Sequence, residues 1–137
     1  MKFVVDANVV LSCLLREGTN AALLVNPILQ LYAPAFLFQE LQKHLPEILE
    51  RTHRSASDLS ALLTAFQYVI QVVPQEDFAD LSDTAKRICP DQNDFMYFAL
   101  AMKLQCPLWS NDKALRIQDH VRVVSTAELL AELSQNL

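Results

Sequence analysis

Four acidic residues, Asp6, Glu40, Asp94 and Asp112, stand where acids carry a cost or a purpose. "KFVVDANVVL" (residues 2–11) sets Asp6 at the end of an apolar strand pattern, with Asn8 close behind, before Val9, Val10 and Leu11 resume the apolar run. A carboxylate there loses hydration, at a cost on the order of several kcal/mol unless something compensates it. Glu40 lies among Phe36, Leu37, Leu41, Leu45 and Leu49, which recur at helical spacing. Asp94, three residues after Asp91, opens a strongly apolar helical pattern, and Asp112 follows the strand-like "CPLWS" in the turn "SNDKAL". Taken singly, each has a plain explanation. Asp6 suits a helix N-cap, Asp91 and Asp94 an N-cap and N3 pair, Asp112 a turn, and Glu40 the polar side of an amphipathic helix. Taken together, they are carboxylates from four different elements, and in a low-dielectric cleft they would raise one another's pKa unless a cation neutralised them. Mg²⁺ and Mn²⁺ suit such a set, being hard ions that take carboxylate oxygen. The chemistry of such a centre is phosphoryl transfer, with water acidified into a nucleophile and charge masked on the attacking and leaving oxygens.

The elements that must position these acids follow from apolar periodicity. Strands are expected at Lys2–Asp6, Leu31–Pro34, Val69–Pro74, Cys106–Ser110 and Val121–Ser125. Helices are expected over Val9–Arg16, Ala21–Leu29, Phe36–Leu49, Ser55 to about Tyr68, Glu76–Ile88, Phe95–Leu104 and Thr126–Gln135, with a loop through Gly18 and Thr19. Pro46 is expected to kink or divide its helix. Ser55 with Asp58, and Ser125 with Glu128, have capping-box spacing. Short apolar strands alternating with helices make an α/β protein with a parallel sheet covered on both faces, and ligands of such sheets sit beyond the carboxyl ends of the strands. Asp6 and Asp112 fall at two of those ends.

The bulk composition narrows the function. A length of 137 residues fits a single domain, 1–137, with a core supplied by 52% apolar residues. No apolar run reaches the ~18 residues of a membrane span, and no signal-peptide pattern is seen, so a cytoplasmic protein is expected. Cys13, Cys89 and Cys106 are odd in number and widely spaced, which points to core packing in a reducing compartment rather than disulfides or a zinc site. Gly18 is the only glycine, which excludes glycine-rich dinucleotide and nucleotide cradles. The net charge of −5 argues on its face against nucleic acid, but only −1 remains once the four acids are set aside. Lys43, Lys113 and Arg116 lie within about a turn of the acids and are candidates for phosphate contact, with Arg51, Arg54, Lys86 and Arg87 farther out; the plain alternative is solvated surface charge. His44 shares a helix face with Glu40, at a spacing that suits a hydrogen bond or solvent better than metal ligation. Trp109 suits either base stacking or the core.

"VVDANVVLSCLL", "PAFLFQELQKH", "DQNDFMYFALAMKLQCPLWSNDKAL" and "VRVVSTAELL" together resemble the PIN-domain family of metal-dependent ribonucleases, which includes the VapC-type toxins of toxin–antitoxin pairs. The resemblance covers nearly the whole chain and keeps the family's motif order. Asp6 with Asn8 matches the first motif, Glu40 the second, Asp94 with Ala99 and Ala101 the third, and Ser110 with Asp112 the fourth; Asp91 matches an additional upstream acid. The resemblance implies a three-layer α/β/α sandwich on a central five-stranded parallel sheet. It also implies an acidic quartet of Asp6, Glu40, Asp94 and Asp112, joined by Asp91, holding Mg²⁺ or Mn²⁺ for hydrolysis of RNA phosphodiester bonds through a metal-activated water. Asn8, Ser110 and Asn111 would support the ligands from behind. Implied partners are an RNA substrate, a small antitoxin protein and a second copy in a homodimer, with neither membrane nor nucleotide cofactor. Residues 49–75 carry no motif of the family. Two other readings stay open: a non-catalytic PIN-like interaction module, and a HAD- or receiver-type protein that phosphorylates Asp6, against which the lone glycine and the missing acidic loop count.

Overall fold

The structure, a computed structural model, describes residues 1–16 and 19–135. Gly18, placed in a loop by the sequence, lies outside them. Five strands form one sheet: β1 (Lys2–Val5), β2 (Gln30–Pro34), β3 (Ile70–Val73), β4 (Leu108–Trp109) and β5 (Val123–Val124). All pair in parallel, in the order β3-β2-β1-β4-β5, so β1 is central. The described helices are α1 (Ala7–Leu15), α2 (Thr19–Leu24), α3 (Phe36–Arg51), α4 (Ala56–Val69), α5 (Ser82–Ile88), α6 (Phe95–Leu104) and α7 (Thr126–Gln135).

Strand alternation divides the core into two layers. Phe3 and Val5 point to one face, with Leu31, Ala33, Trp109 and Val124, and are covered by α1, α2, α3, α4 and α7. Val4, Leu108 and Val123 point to the other and are covered by Ala85 of α5 and by Tyr97, Phe98 and Leu100 of α6. A sheet buried on both sides needs strands apolar at every position, which is why "FVV" shows no polar alternation. The result is the three-layer α/β/α sandwich that the resemblance implied. None of the described helices is long and apolar enough to cross a membrane.

Several boundaries differ from the sequence expectation. The second helix ends at Leu24, not Leu29, because Asn26 precedes a proline and its side chain accepts the Ile28 N–H at 3.0 Å, forming an Asx turn. The helix expected from Glu76 starts only at Ser82; two short 3₁₀ turns precede it, with Phe78 between them at φ −130°, ψ 13° and fully buried. Burying the Phe78 ring outweighs helical continuity. The third strand begins one residue late, at Ile70, since α4 runs through Val69. Pro46 does not divide α3: it sits on the exposed face, where Gln42, whose carbonyl it cannot bond, is also exposed. The Ser125–Glu128 capping box forms in full, the two residues exchanging bonds, whereas Ser55 and Asp58 form only its first half, the Asp58 N–H on Ser55 Oγ at 3.0 Å. All three cysteines are free, and Cys13 and Cys89 are buried.

Leu37 and Leu49 on α3 test this layering. Leu37 is fully buried and Leu49 is 38% exposed. Leu37→Ala is expected to lower unfolding free energy by about 2–5 kcal/mol and Leu49→Ala by no more than about 0.5 kcal/mol, measured by urea denaturation.

Candidate active site

The carboxyl ends of the two central strands lie side by side. The Asp6 N–H donates to the Trp109 carbonyl at 3.0 Å, extending the β1–β4 ladder by one step and setting Asp6 beside Ser110. Asp6 is 1% exposed and Ser110 is fully buried. The Ser110 hydroxyl donates to Asp6 Oδ2 at 2.7 Å and accepts the Asp112 N–H at 3.1 Å, so one side chain fixes one acid and positions the backbone of another. Asp6 is also the N-cap of α1, although the Asn8 N–H reaches its Oδ1 only at 3.5 Å. Burial pushes the Asp6 carboxyl above the ordinary carboxylate range, and the charge of Asp112 pushes the same way. The Ser110, Asn8 and Ala7 hydrogen bonds oppose the shift without cancelling it.

Asp94 comes to this edge from α6. It occupies the N-cap position, at φ −107° and ψ 4°, but its side chain makes no capping bond. Its pKa is pushed up to about 7, first by burial and then by the charges of Asp6, Asp91, Asp112 and Glu40. The acids singled out in the sequence therefore share one electrostatic environment. Asp91 caps the turn leading into α6, with the Asn93 N–H on its Oδ1 at 2.9 Å, and the buried Cys89 thiol donates to its carbonyl at 2.9 Å. Burial, aided by the charges of Asp94, Asp91 and Asp6, pushes that thiol up to about 11, so it is inert as a nucleophile. Asp112 caps a 3₁₀ turn, its Oδ1 accepting the Ala114 N–H at 3.0 Å. Glu40 is partly buried on α3 and caps nothing.

Among the described residues no Lys, Arg or His is ion-paired with any of these five acids. Their all-oxygen donor set and mutual repulsion suit a hard dication. Among the described residues no three His, Cys, Asp or Glu side chains are arranged as they stand to hold a metal ion. The Asp94 and Glu40 side chains accept no hydrogen bond among the described residues, so they are the least tethered of the five.

Other candidates are used differently. Trp109 is not a stacking surface: it is fully buried, and its indole N–H donates to Thr126 Oγ1 at 3.1 Å. The Asn111 amide is spent on the start of α7, bonding Thr126 through both Oδ1 (2.8 Å) and Nδ2 (3.0 Å), and not on an acid. Arg116 is paired with Glu128 of the α7 capping box, which draws its charge away from the cleft. Lys43, Lys113 and the Asn8 side chain are exposed. His44 faces Glu47 at 3.6 Å rather than Glu40.

The sequence reading missed Tyr97. It is 1% exposed and lies one turn after Asp94 on α6, and its hydroxyl has no hydrogen-bond partner. Burial and the charges of Asp6, Glu40 and Asp94 push its pKa far upward. The available signal was a hydroxyl-bearing ring at i+3 from an acid, within the apolar first two turns of α6.

A model of the PIN-domain family matches residues 4–134. The chain belongs to the PIN-domain family. Among solved structures, this PIN domain is similar to VapBC2 from Rickettsia felis, determined bound to a DNA fragment from its promoter, with a TM-score of 0.64 and 12% sequence identity. The match covers 91% of this chain and 98% of that one. No curated protein sequence matches it.

Asp94 gives the PIN domain a definite pH response. Its folded pKa, about 7, lies above the unfolded value near 4. Between these limits the folded chain holds a proton that the unfolded chain releases, so this group's contribution to stability falls as pH rises. In metal-free buffer, Asp94→Asn and wild type are expected to melt alike near pH 4, with the variant increasingly the more stable towards pH 8. Thermal melts across that range with a chelator present check this.

Proposed function

We propose that this PIN domain is a Mg²⁺- or Mn²⁺-dependent endoribonuclease, the toxin of a toxin–antitoxin pair acting on cytoplasmic RNA. The observation that carries the proposal is the gathering of Asp6, Glu40, Asp91, Asp94 and Asp112 with no ion-paired cation among the described residues. In that setting burial first and their mutual charge second push the Asp94 pKa up. Such repulsion is a cost to the fold that a bound dication removes.

In this reading Asp6, Glu40, Asp94 and Asp112 supply the ligands and Asp91 adds to the field. Ser110 fixes the direction of Asp6 through its 2.7 Å bond and sets the Asp112 backbone. The bound ion supplies an acidified water and masks charge on the phosphate in the transition state. Lys43 and Lys113, exposed and without ion-pair partners among the described residues, are the cations free to meet RNA phosphates. The likeness to VapBC2 supports a small antitoxin protein as partner, and a homodimer belongs to the proposal through the family resemblance. The capping bonds of Asp6, Asp91 and Asp112 favour a second reading, a PIN-like module without catalysis. Asp94 and Glu40, which cap nothing, are unexplained by it.

Millimolar Mn²⁺ is expected to raise the wild-type melting temperature by several degrees, as a ligand well above its Kd adds about 2–4 kcal/mol. Incubated with a pool of single-stranded and structured RNA plus Mg²⁺ or Mn²⁺, wild type should cleave at least about 10²-fold faster than Asp94→Asn, a barrier difference of about 2.7 kcal/mol. Equal cleavage by both, or no shift with Mn²⁺, supports the module instead.

A further inference from the structure

The Tyr97 hydroxyl is the one fully buried side-chain polar atom without a partner among the described residues. Buried hydroxyls are normally bonded, because desolvation without a replacement bond opposes folding. A phenylalanine would fill the same volume without that penalty, and Phe95 and Phe98 beside it show that α6 accommodates plain rings. The hydroxyl oxygen lies towards the Ala7 N–H, though without a bond of normal geometry, which leaves its hydrogen to be donated.

The acids around it have the complementary deficit. Asp6 already receives the Ser110 hydroxyl, whereas among the described residues the Glu40 and Asp94 side chains accept no hydrogen bond. Both lie in the field that Tyr97 experiences, Glu40 more strongly. Glu40 comes from α3, covering one sheet face, and Tyr97 from α6, covering the other. Glu40 also has the longer side chain of the two, and no hydrogen bond among the described residues holds it.

We propose that Tyr97 is a positioning residue whose hydroxyl donates to Glu40 once the carboxylates draw together on a divalent cation, selecting which Glu40 oxygen faces the ion. The inference rests on the metal-dependent reading above. It assigns the unpaired hydroxyl a partner that the metal-free arrangement holds out of reach, and it links the helical layers across the top of the sheet.

Mn²⁺ affinity, read from melting-temperature titrations of the full chain, tests it. In metal-free buffer Tyr97→Phe is expected to melt at or above the wild-type temperature, since the unpaired hydroxyl is gone. Its apparent Mn²⁺ Kd is expected to weaken about tenfold or more, the usual effect of removing a hydrogen bond that orients a ligand. In a Glu40→Ala background the same substitution should change the Kd less than about twofold. An unchanged Kd in Tyr97→Phe overturns the inference while wild-type Mn²⁺ binding upholds the nuclease reading; so does a weakened Kd that persists undiminished without Glu40. Absence of Mn²⁺ binding by wild type overturns the nuclease reading itself. If Tyr97→Phe does not fold, near-ultraviolet difference spectra of the wild type decide the question. Mg²⁺ should shift a tyrosine band to the red, and Glu40→Ala should remove the shift; no shift in wild type overturns the inference.

Discussion

The hydrogen bond from Ser110 to Asp6 is the contact on which the candidate site depends. It buries a carboxylate at the end of β1, the middle strand of the sheet, on the side where β4 pairs with it. The same hydroxyl accepts from Asp112, so the ends of both central strands are locked into one arrangement. Charge-assisted bonds of this kind are short and strong, and here the bond offsets part of what burial costs Asp6. It offsets only part, for the Asp6 pKa stays raised. The fold thus carries a residual electrostatic strain where the chains of two strands end.

That strain spreads to the elements around it. Asp94 enters from one helical layer and Glu40 from the other, and among the described residues neither side chain accepts a hydrogen bond. Asp6, Asp91 and Asp112, by contrast, each accept backbone N–H groups at turns. Acids fixed at strand ends and at the turn before α6, together with acids on α3 and α6 whose side chains accept no hydrogen bond among the described residues, make a cluster that is assembled but not closed. Capping and ligation are therefore not competing explanations for the same residue. A capped carboxylate keeps lone pairs to spare, and its cap sets the direction in which they point.

Much of this was legible in the chain. Continuous apolar runs identified a sheet covered on both faces, and each strand-end acid stood out because an uncompensated charge there is expensive. The shortfalls share one cause: a side chain's partner lies far away in sequence. Phe78 breaks a helix that its local sequence favours because a distant core accepts its ring. Trp109, Asn111 and Arg116 all looked available for RNA or metal, and all three are engaged by the first turn of α7. Tyr97 was hidden because a lone tyrosine in an apolar helix reads as core. The significance of its hydroxyl emerges only when Asp6 and Glu40, remote in sequence, are placed beside it.

The long reach of the Ser110–Asp6 bond bears on the order of synthesis. The two residues are 104 positions apart, so the first strand leaves the ribosome long before the neighbour that completes its pairing. Chains emerge from the amino terminus onwards, and until β4 follows, the Asp6 carboxylate remains hydrated and the acid edge unformed. A nascent or prematurely terminated product lacking the last third of the polypeptide would have Asp6 and Glu40 but neither Asp94 nor Asp112. Under the ribonuclease function proposed above, that order of assembly leaves the unfinished chain without its acid cluster while its message is still being translated.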